Sequence, residues 1–257
     1  MMFTEHPFLD RFAAARGAGF EAVEFLFPYE HAAAEIAKRL QDNGLRLVLF
    51  NAPPGDWAAG ERGMAALPGR EAEFDDGIAR ALDYAGALGC ARLHVMAGIA
   101  PAGVPPGTLT ATYAINLARA AERAIAQGVK CVIEPINQRD MPGYSLTGTA
   151  NAAAVIEAVG PERLGLQFDL YHCQVTEGDL VPRMRALLPL ISHMQVADTP
   201  GRHEPGTGEV NWPFVFAAID EAGYRGWIGC EYRPQGETEA GLGWLAPYRS
   251  MERQFTA

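Results

Sequence analysis

Four apolar runs in the second half of this 257-residue chain each end in a side chain able to ligate a metal, and helix-like segments separate them. They read Val132-Ile133-Glu134-Pro135-Ile136-Asn137, Leu166-Gln167-Phe168-Asp169-Leu170-Tyr171-His172, Ser192-His193-Met194-Gln195-Val196-Ala197-Asp198 and Ile228-Gly229-Cys230-Glu231-Tyr232-Arg233-Pro234. Parallel strands in a closed barrel have this rhythm, with their carboxyl ends meeting on one face. Eight strand-helix units need roughly 250 residues, so the length suits one such barrel and leaves no room for a second full domain. The sequence therefore predicts an α/β protein built as a single (β/α)8 TIM barrel over residues 1–257.

Strand-like runs rich in Val, Ile, Leu or Phe fall at 22–27, 45–50, 91–96, 129–134, 164–169, 190–196 and 226–231. Helical patterns occupy 8–18, 30–43, 70–89, 109–127, 149–159, 179–189, 212–222 and 243–254, and most end at a glycine such as Gly44, Gly89, Gly128, Gly160 or Gly223. Seven strands are clear. The eighth is expected to be the first, short or truncated, because only Met1 to Thr4 precede the helix at 8–18. Two Pro- and Gly-rich loops, Asn51 to Pro68 and Gly98 to Gly107, leave carboxyl ends of strand-like runs and could wall a small pocket.

Composition narrows the partners. A formal net charge of −10, with neither a Lys/Arg run nor a basic-aromatic patch, would repel a phosphate backbone, so nucleic acid is not expected. The four cysteines have no paired spacing, and no apolar leader or membrane-length segment is evident, so a reduced cytoplasm without membrane association is the expectation. Homo-oligomerisation is left open.

Glu134, Asp169, Gln195 and Glu231 offer only hard oxygen donors, which suit Mg²⁺ or Mn²⁺ better than zinc. The competing reading is a hydrogen-bonded polar rim at the strand ends. Three carboxylates converging in a barrel mouth repel one another and raise a pKa, a cost that a divalent ion removes. That favours a shared metal site, its requirement for activity left open.

The runs Ile133-Glu134-Pro135-Ile136-Asn137 through Pro142-Gly143-Tyr144 and Phe168-Asp169-Leu170-Tyr171-His172 through Glu177-Gly178-Asp179 resemble the hydroxypyruvate isomerase family. So do Pro200-Gly201-Arg202-His203-Glu204-Pro205-Gly206-Thr207-Gly208-Glu209, Gly229-Cys230-Glu231-Tyr232, Phe50-Asn51 through Pro53-Pro54-Gly55-Asp56-Trp57, and Phe25-Leu26-Phe27-Pro28-Tyr29. That family sits among the xylose-isomerase-like barrels, which include ketose 3-epimerases, and the resemblance covers almost the whole chain. It implies two catalytic glutamates on opposite sides of the reacting carbons, here Glu134 and Glu231, with Asp169 as the site aspartate. Gln195 stands where the sugar epimerases have a histidine, a departure that bears on metal identity and tightness.

The resemblance implies an aldose-ketose isomerase acting on a small hydroxy-oxo acid, hydroxypyruvate to tartronate semialdehyde first, with 2-oxo-tetronate isomerisation or ketose 3-epimerisation as alternatives. A base must take a carbon-bound proton and an electrophile must hold the enediolate. The substrate's carboxylate needs a cation. Arg202 lies in the loop after run 190–196 and His172 three residues past Asp169, so both can reach over the mouth, with His203 in the same loop as Arg202. His94, inside an apolar run, reads as a hydrogen-bonded barrel residue, and Cys131 and Cys230 as core fillers. A Schiff-base aldolase needs a lysine at the active face, and the two lysines, Lys38 in a helix and Lys130 at a strand entry, are not there. A non-catalytic sugar- or acid-binding barrel is the rival outside enzymes.

Overall fold

In a computed structural model, which describes residues 1–248 and 254–257, eight parallel strands close into a barrel in sequence order. The strands are β1 (Ala22–Phe25), β2 (Arg46–Asn51), β3 (Arg92–His94), β4 (Lys130–Ile133), β5 (Leu164–Asp169), β6 (Ile191–Val196), β7 (Trp227–Cys230) and β8 (Gln254–Thr256). Helices α1 (Arg11–Gly17), α2 (Ala33–Asp42), α3 (Glu71–Leu88), α4 (Pro106–Ile125), α5 (Thr149–Val159), α6 (Leu170–Thr176), α7 (Leu180–Leu187) and α8 (Trp212–Glu221) surround them, with 3-10 turns at Phe8–Asp10 and Glu239–Tyr248. All seven strand-like runs become strands. Helix ends follow the expected chemistry, as where Gly89 at φ +63° stops α3 in a left-handed turn that a Cβ would strain.

The eighth strand lies at the other end of the chain from the expectation. Met1 to Thr4 form no strand: Phe3 has a φ of +56°, its ring packs edge-on against Phe20 6.3 Å away, and its N–H donates to Thr238 Oγ1 at 2.8 Å. The barrel closes instead through Gln254–Thr256, which pairs with β7 at three positions and with β1 at Ala22↔Thr256. Alternation explains why three residues suffice as a strand. Phe255 packs outward on Phe216, Trp244 and Tyr248, while Thr256 faces inward and donates to Glu24 Oε2 at 2.9 Å. The helical pattern expected at 243–254 is thereby divided: a 3-10 turn runs to Tyr248, residues 249–253 lie outside the described residues, and Gln254 opens β8.

Most of the apolar core lies between barrel and helices, where residues such as Phe50, Leu93, Ile133, Leu166 and Phe216 are fully buried. Each side chain of that size contributes about 1.5–3 kcal/mol on burial. Inside the barrel the pattern differs. Alternate residues of the strands turn polar groups inward, among them Glu24, His94, Gln167, Asp169, His193 and Gln195, all in or beside the carboxyl half of the barrel. Burying such groups is costly, so their concentration here marks the site.

Candidate active site

Each expected ligand position sits where a strand delivers it to the mouth. Glu134 follows β4 directly, Asp169 ends β5, Gln195 lies beside Asp169 in the β5–β6 register, and Glu231 follows β7. Asp169 has two tasks, because its Oδ1 accepts from the N–H of Tyr171 at 2.7 Å and caps α6, a helix the sequence pattern did not announce. Its Oδ2 faces inward. Arg202 Nη2 lies 2.7 Å from Glu231 Oε2 and 3.5 Å from Asp169 Oδ2, and His172 Nε2 lies 3.6 Å from Asp169 Oδ2 and 3.9 Å from Glu134 Oε1. One ligand atom from each of Glu134, Asp169 and His172 falls within 4.8 Å of the other two.

Glu134, Asp169, Glu231, His172 and Arg202 therefore form one cluster. Gln195 adjoins it, bonded to Glu24 and Gln167. His203 does not join: its Nδ1 is 2.7 Å from the Arg233 carbonyl, at the rim of the loop. Arg202 is paired with the cluster acids and not with Glu204, whose Oε2 accepts from the N–H of Gln235 at 3.1 Å.

Burial drives the electrostatics. It raises the Glu134 carboxyl well above its usual range, and the neighbouring charges of Glu231 and Asp169 add to the shift. Burial likewise lifts Asp169 to about 7, against the opposing pull of Arg202. It lowers His94 to about 3, helped by His193, and takes His172 well below the ordinary imidazole value, helped by Arg202. Both imidazoles are thus neutral, and the Arg202 guanidinium faces Asp169 and Glu231 and also lies 3.6 Å from Asp140 Oδ2.

The tautomer of His172 follows from a chain of donors. The N–H of Asp140 donates to Asn137 Oδ1 at 2.8 Å, which turns the Asn137 Nδ2 amide toward His172 Nδ1, 2.6 Å away. The Asn137 N–H approaches the same nitrogen at 3.4 Å. Nδ1 must therefore accept, and the ring's one proton sits on Nε2, facing Asp169 and Glu134. His172 is a donor into the site, and its nitrogen is not free to bind a metal in this tautomer.

The donor set fits a divalent cation. Three carboxylates outnumber one guanidinium, and Glu134 Oε1, Gln167 Oε1 and His94 Nε2 are buried without a hydrogen-bond partner. A cavity of about 20 Å³ beside the cluster is lined by Met1, Glu24, Asn51, Gln195 and Glu231 among others, and by neither Glu134 nor Asp169. Oxygen donors from Glu134, Asp169, Glu231 and Gln195 match Mg²⁺ or Mn²⁺ chemistry.

Comparison with known proteins agrees with this architecture. The model of the xylose isomerase-like TIM barrel family matches residues 12–248. A 2-oxo-tetronate isomerase of Cupriavidus necator is 59% identical over 248 residues, covering 96% of this chain and 95% of that protein. The chain belongs to the xylose isomerase-like TIM barrels. Within that family, hydroxypyruvate isomerase of Escherichia coli is 47% identical across 97% of this chain and 96% of its own length. A crystal structure from Brucella melitensis, described as an AP endonuclease of family 2, superposes with a TM-score of 0.94 at 48% identity, covering 97% of this chain and 96% of that one. The chain is thus an enzyme of the isomerase group to which the hydroxypyruvate and 2-oxo-tetronate isomerases belong.

Residues that sequence reasoning passed over complete the site of this family member. Glu24, Gln167 and His193 form a buried layer under the mouth, and His94, a buried barrel residue, has its Nε2 3.8 Å from Glu134 Oε2 without a hydrogen-bond partner. The available signal was Glu24 itself, a charge inside the run Ala-Val-Glu-Phe-Leu-Phe. Asp198 builds the loop that carries Arg202: its carboxylate accepts from the N–H groups of Thr199, Gly206, Gly208 and Val210 at 2.9, 2.8, 3.0 and 3.2 Å. Both lysines lie elsewhere, Lys38 paired with Asp42 and Lys130 Nζ donating to the Pro161 carbonyl. All four cysteines are buried and unpaired, and no helix among the described residues is long and apolar enough to cross a membrane.

Proposed function

We propose that this chain interconverts the ketone and aldehyde forms of a small hydroxy-oxo acid by moving a proton between adjacent carbons, with Glu134 and Glu231 as the proton-handling groups. The observation that carries the reading is Glu134: a buried carboxyl of raised pKa, with Oε1 unpartnered, in one cluster with a second glutamate and a neutral histidine donor. A dry glutamate of raised basicity suits abstraction of a proton next to a carbonyl.

For hydroxypyruvate, one glutamate takes a proton from the CH₂OH carbon, and an enediolate forms across the two carbons. A proton is then delivered to the former carbonyl carbon and the hydroxyl proton shifts between the two oxygens, giving tartronate semialdehyde. His172, with Nε2–H directed inward, donates to a substrate oxygen as negative charge develops on it. Arg202, whose buried Nε–H lacks a partner, holds the substrate carboxylate. A Mg²⁺ or Mn²⁺ ion held by Glu134, Asp169, Gln195 and Glu231 would supply Lewis-acid stabilisation of the two reacting oxygens.

Both hydroxypyruvate and 2-oxo-tetronate fall within the proposal, and the greater identity to the relative named for the latter favours the four-carbon acid. Ketose 3-epimerisation is the remaining alternative, and His203, at the loop rim, is proposed to contact only the outer part of a longer substrate. A nuclease reading has the formal charge of −10 against it. The test is proton NMR of metal-replenished protein in deuterated buffer with hydroxypyruvate, 2-oxo-tetronate and free ketoses. Product formation with carbon-bound deuterium from either acid is the expected result. Turnover of ketoses alone, or of nothing, overturns it.

A further inference from the structure

Glu24 is a carboxylate inside the barrel, beneath the mouth and outside the cluster described above. Its side chain is 8% exposed and takes three donors: Gln195 Nε2 at 2.7 Å on Oε1, His193 Nε2 at 2.7 Å and Thr256 Oγ1 at 2.9 Å on Oε2. The three come from two different strands, β6 and β8. A glycine on β7 makes room for it, since a Cβ at Gly229 would collide with both Glu24 oxygens.

At each of these contacts a donor atom meets a Glu24 oxygen, so the carboxylate is used as an acceptor throughout. The Gln195 amide must therefore turn its NH₂ to Glu24, because the flipped arrangement would press two acceptors together at 2.7 Å. Gln195 Oε1 accepts from Gln167 Nε2 at 2.6 Å. The Gln195 oxygen is thus directed away from Glu24, on the strand beside Asp169. An amide oxygen has two lone pairs, and Gln167 uses one.

We propose that Glu24 is a positioning residue that fixes the polarity of the Gln195 amide and so presents its oxygen as a ligand to a divalent cation. This deepens the cation reading of the preceding section and rests on it. An amide is an ambiguous ligand, able to offer a repelling NH₂ as readily as an oxygen, whereas a carboxylate presents an oxygen either way round. A chain with glutamine at this position therefore needs a group that breaks the tie, and residues that orient ligands are commonly worth 10–100-fold in metal affinity.

The experiment is Mn²⁺ titration by calorimetry on chelator-treated full-length protein, comparing wild type, Glu24→Gln, Gln195→Met and the double variant. Circular dichroism melts verify that each is folded. Glu24→Gln keeps the shape but can face Gln195 as donor or acceptor, so the Mn²⁺ dissociation constant should rise about 10–100-fold. In the Gln195→Met background, where no amide remains to orient, the same change should matter less than about threefold, since coupled residues fail to add. If Glu24→Gln fails to fold, Gly229→Ala displaces the Glu24 carboxylate without changing its charge and completes the same cycle. Equal Mn²⁺ affinity in wild type and the Glu24 or Gly229 variant, or full additivity in the double variant, overturns the inference and leaves the cation reading standing. Absence of Mn²⁺ binding to the wild type overturns both.

Discussion

At the scale of single residues, the site works through hydrogen-bond polarity as much as through charge. Asp140 N–H, Asn137 and His172 form a directed chain that ends in an inward Nε2–H. Asn137→Asp replaces the Nδ2 donor by an acceptor, which draws the ring proton to Nδ1 and leaves Nε2 as a bare acceptor facing carboxylates. Turnover should fall about 100-fold or more while the fold persists, as expected when a catalytic imidazole is held in the wrong tautomer. Steady-state kinetics with a melting curve checks this, and unchanged kcat would refute the donor role. Glu134→Gln should have two opposite effects. It removes a proton acceptor, lowering kcat about 10²–10⁴-fold, and it removes a buried carboxyl whose ionisation burial, Glu231 and Asp169 oppose, so at pH 8 the metal-free protein should melt a few degrees higher. Lower stability together with full activity would contradict both arguments. For Arg202 the informative change is to Lys, since Ala would leave Glu231 and Asp169 without their counter-ion. Lys keeps the charge and loses the planar fork, so kcat/KM should drop more for a hydroxy-oxo acid than for a neutral ketose. An equal drop for both would argue against a carboxylate grip.

At the scale of elements, the loop after β6 delivers Arg202 only because Asp198 gathers four N–H groups at its base. Asp198→Ala strands these donors. Leaving a buried donor unsatisfied costs about 1–3 kcal/mol, and even with water reaching some of them a net loss of about 3 kcal/mol is expected. At roughly 2–4 °C per kcal/mol for a chain approaching this size, the melting temperature should fall by about 6–12 °C. Activity should fall further than stability at a temperature where the variant is still folded, measured by kcat/KM at 20–30 °C below its own midpoint. This loop also marks what the sequence could and could not reveal. Runs such as Leu164–Asp169 and Ile191–Val196 are long and apolar enough to be read directly, and Glu134, Asp169, Gln195 and Glu231 stand out because each interrupts such a run at its end. β8 escaped because three residues have no period to detect, and its strand character comes from pairing with β7 and from Phe255 meeting α8. α6 escaped because Asp169 both ends a strand and caps a helix, with no linker between them. Glu24, Gln167 and His193 lacked a visible role because Gln195 and His193 lie more than 160 positions from Glu24 in sequence, and only barrel closure brings them together.

At the scale of the whole molecule, burying titratable groups of both kinds in one barrel mouth makes stability depend on pH from two sides. His94 titrates at about 3 in the folded chain, well below the unfolded imidazole value near 6.5. The unfolded chain binds the extra proton between those values, so stability is lost as pH falls below about 6.5, by roughly 2 kcal/mol at pH 5 for one such group. His172, also lowered, acts in the same direction. Asp169 has the opposite sign: its folded pKa is raised to about 7, so the folded chain holds the proton more tightly, and this contribution is lost as pH rises through 7. Glu134 adds to the alkaline loss. A divalent cation bound in the cluster would take the place of those protons, and its stabilising effect should therefore grow with pH. Saturating Mn²⁺ at about 100 times its dissociation constant adds about 2.7 kcal/mol, equivalent to about 5–11 °C in melting temperature. That full rise is expected at pH 8, and less than half of it at pH 5.5 with the same total Mn²⁺, because protonated Glu134 and Asp169 compete with the ion. Differential scanning fluorimetry of chelated and Mn²⁺-loaded protein between pH 5.5 and 8 measures this directly. A Mn²⁺-induced shift that is the same at both ends would mean that the ion binds outside the carboxyl cluster, and the acidic mouth would then be stabilised by Arg202 and its protons alone.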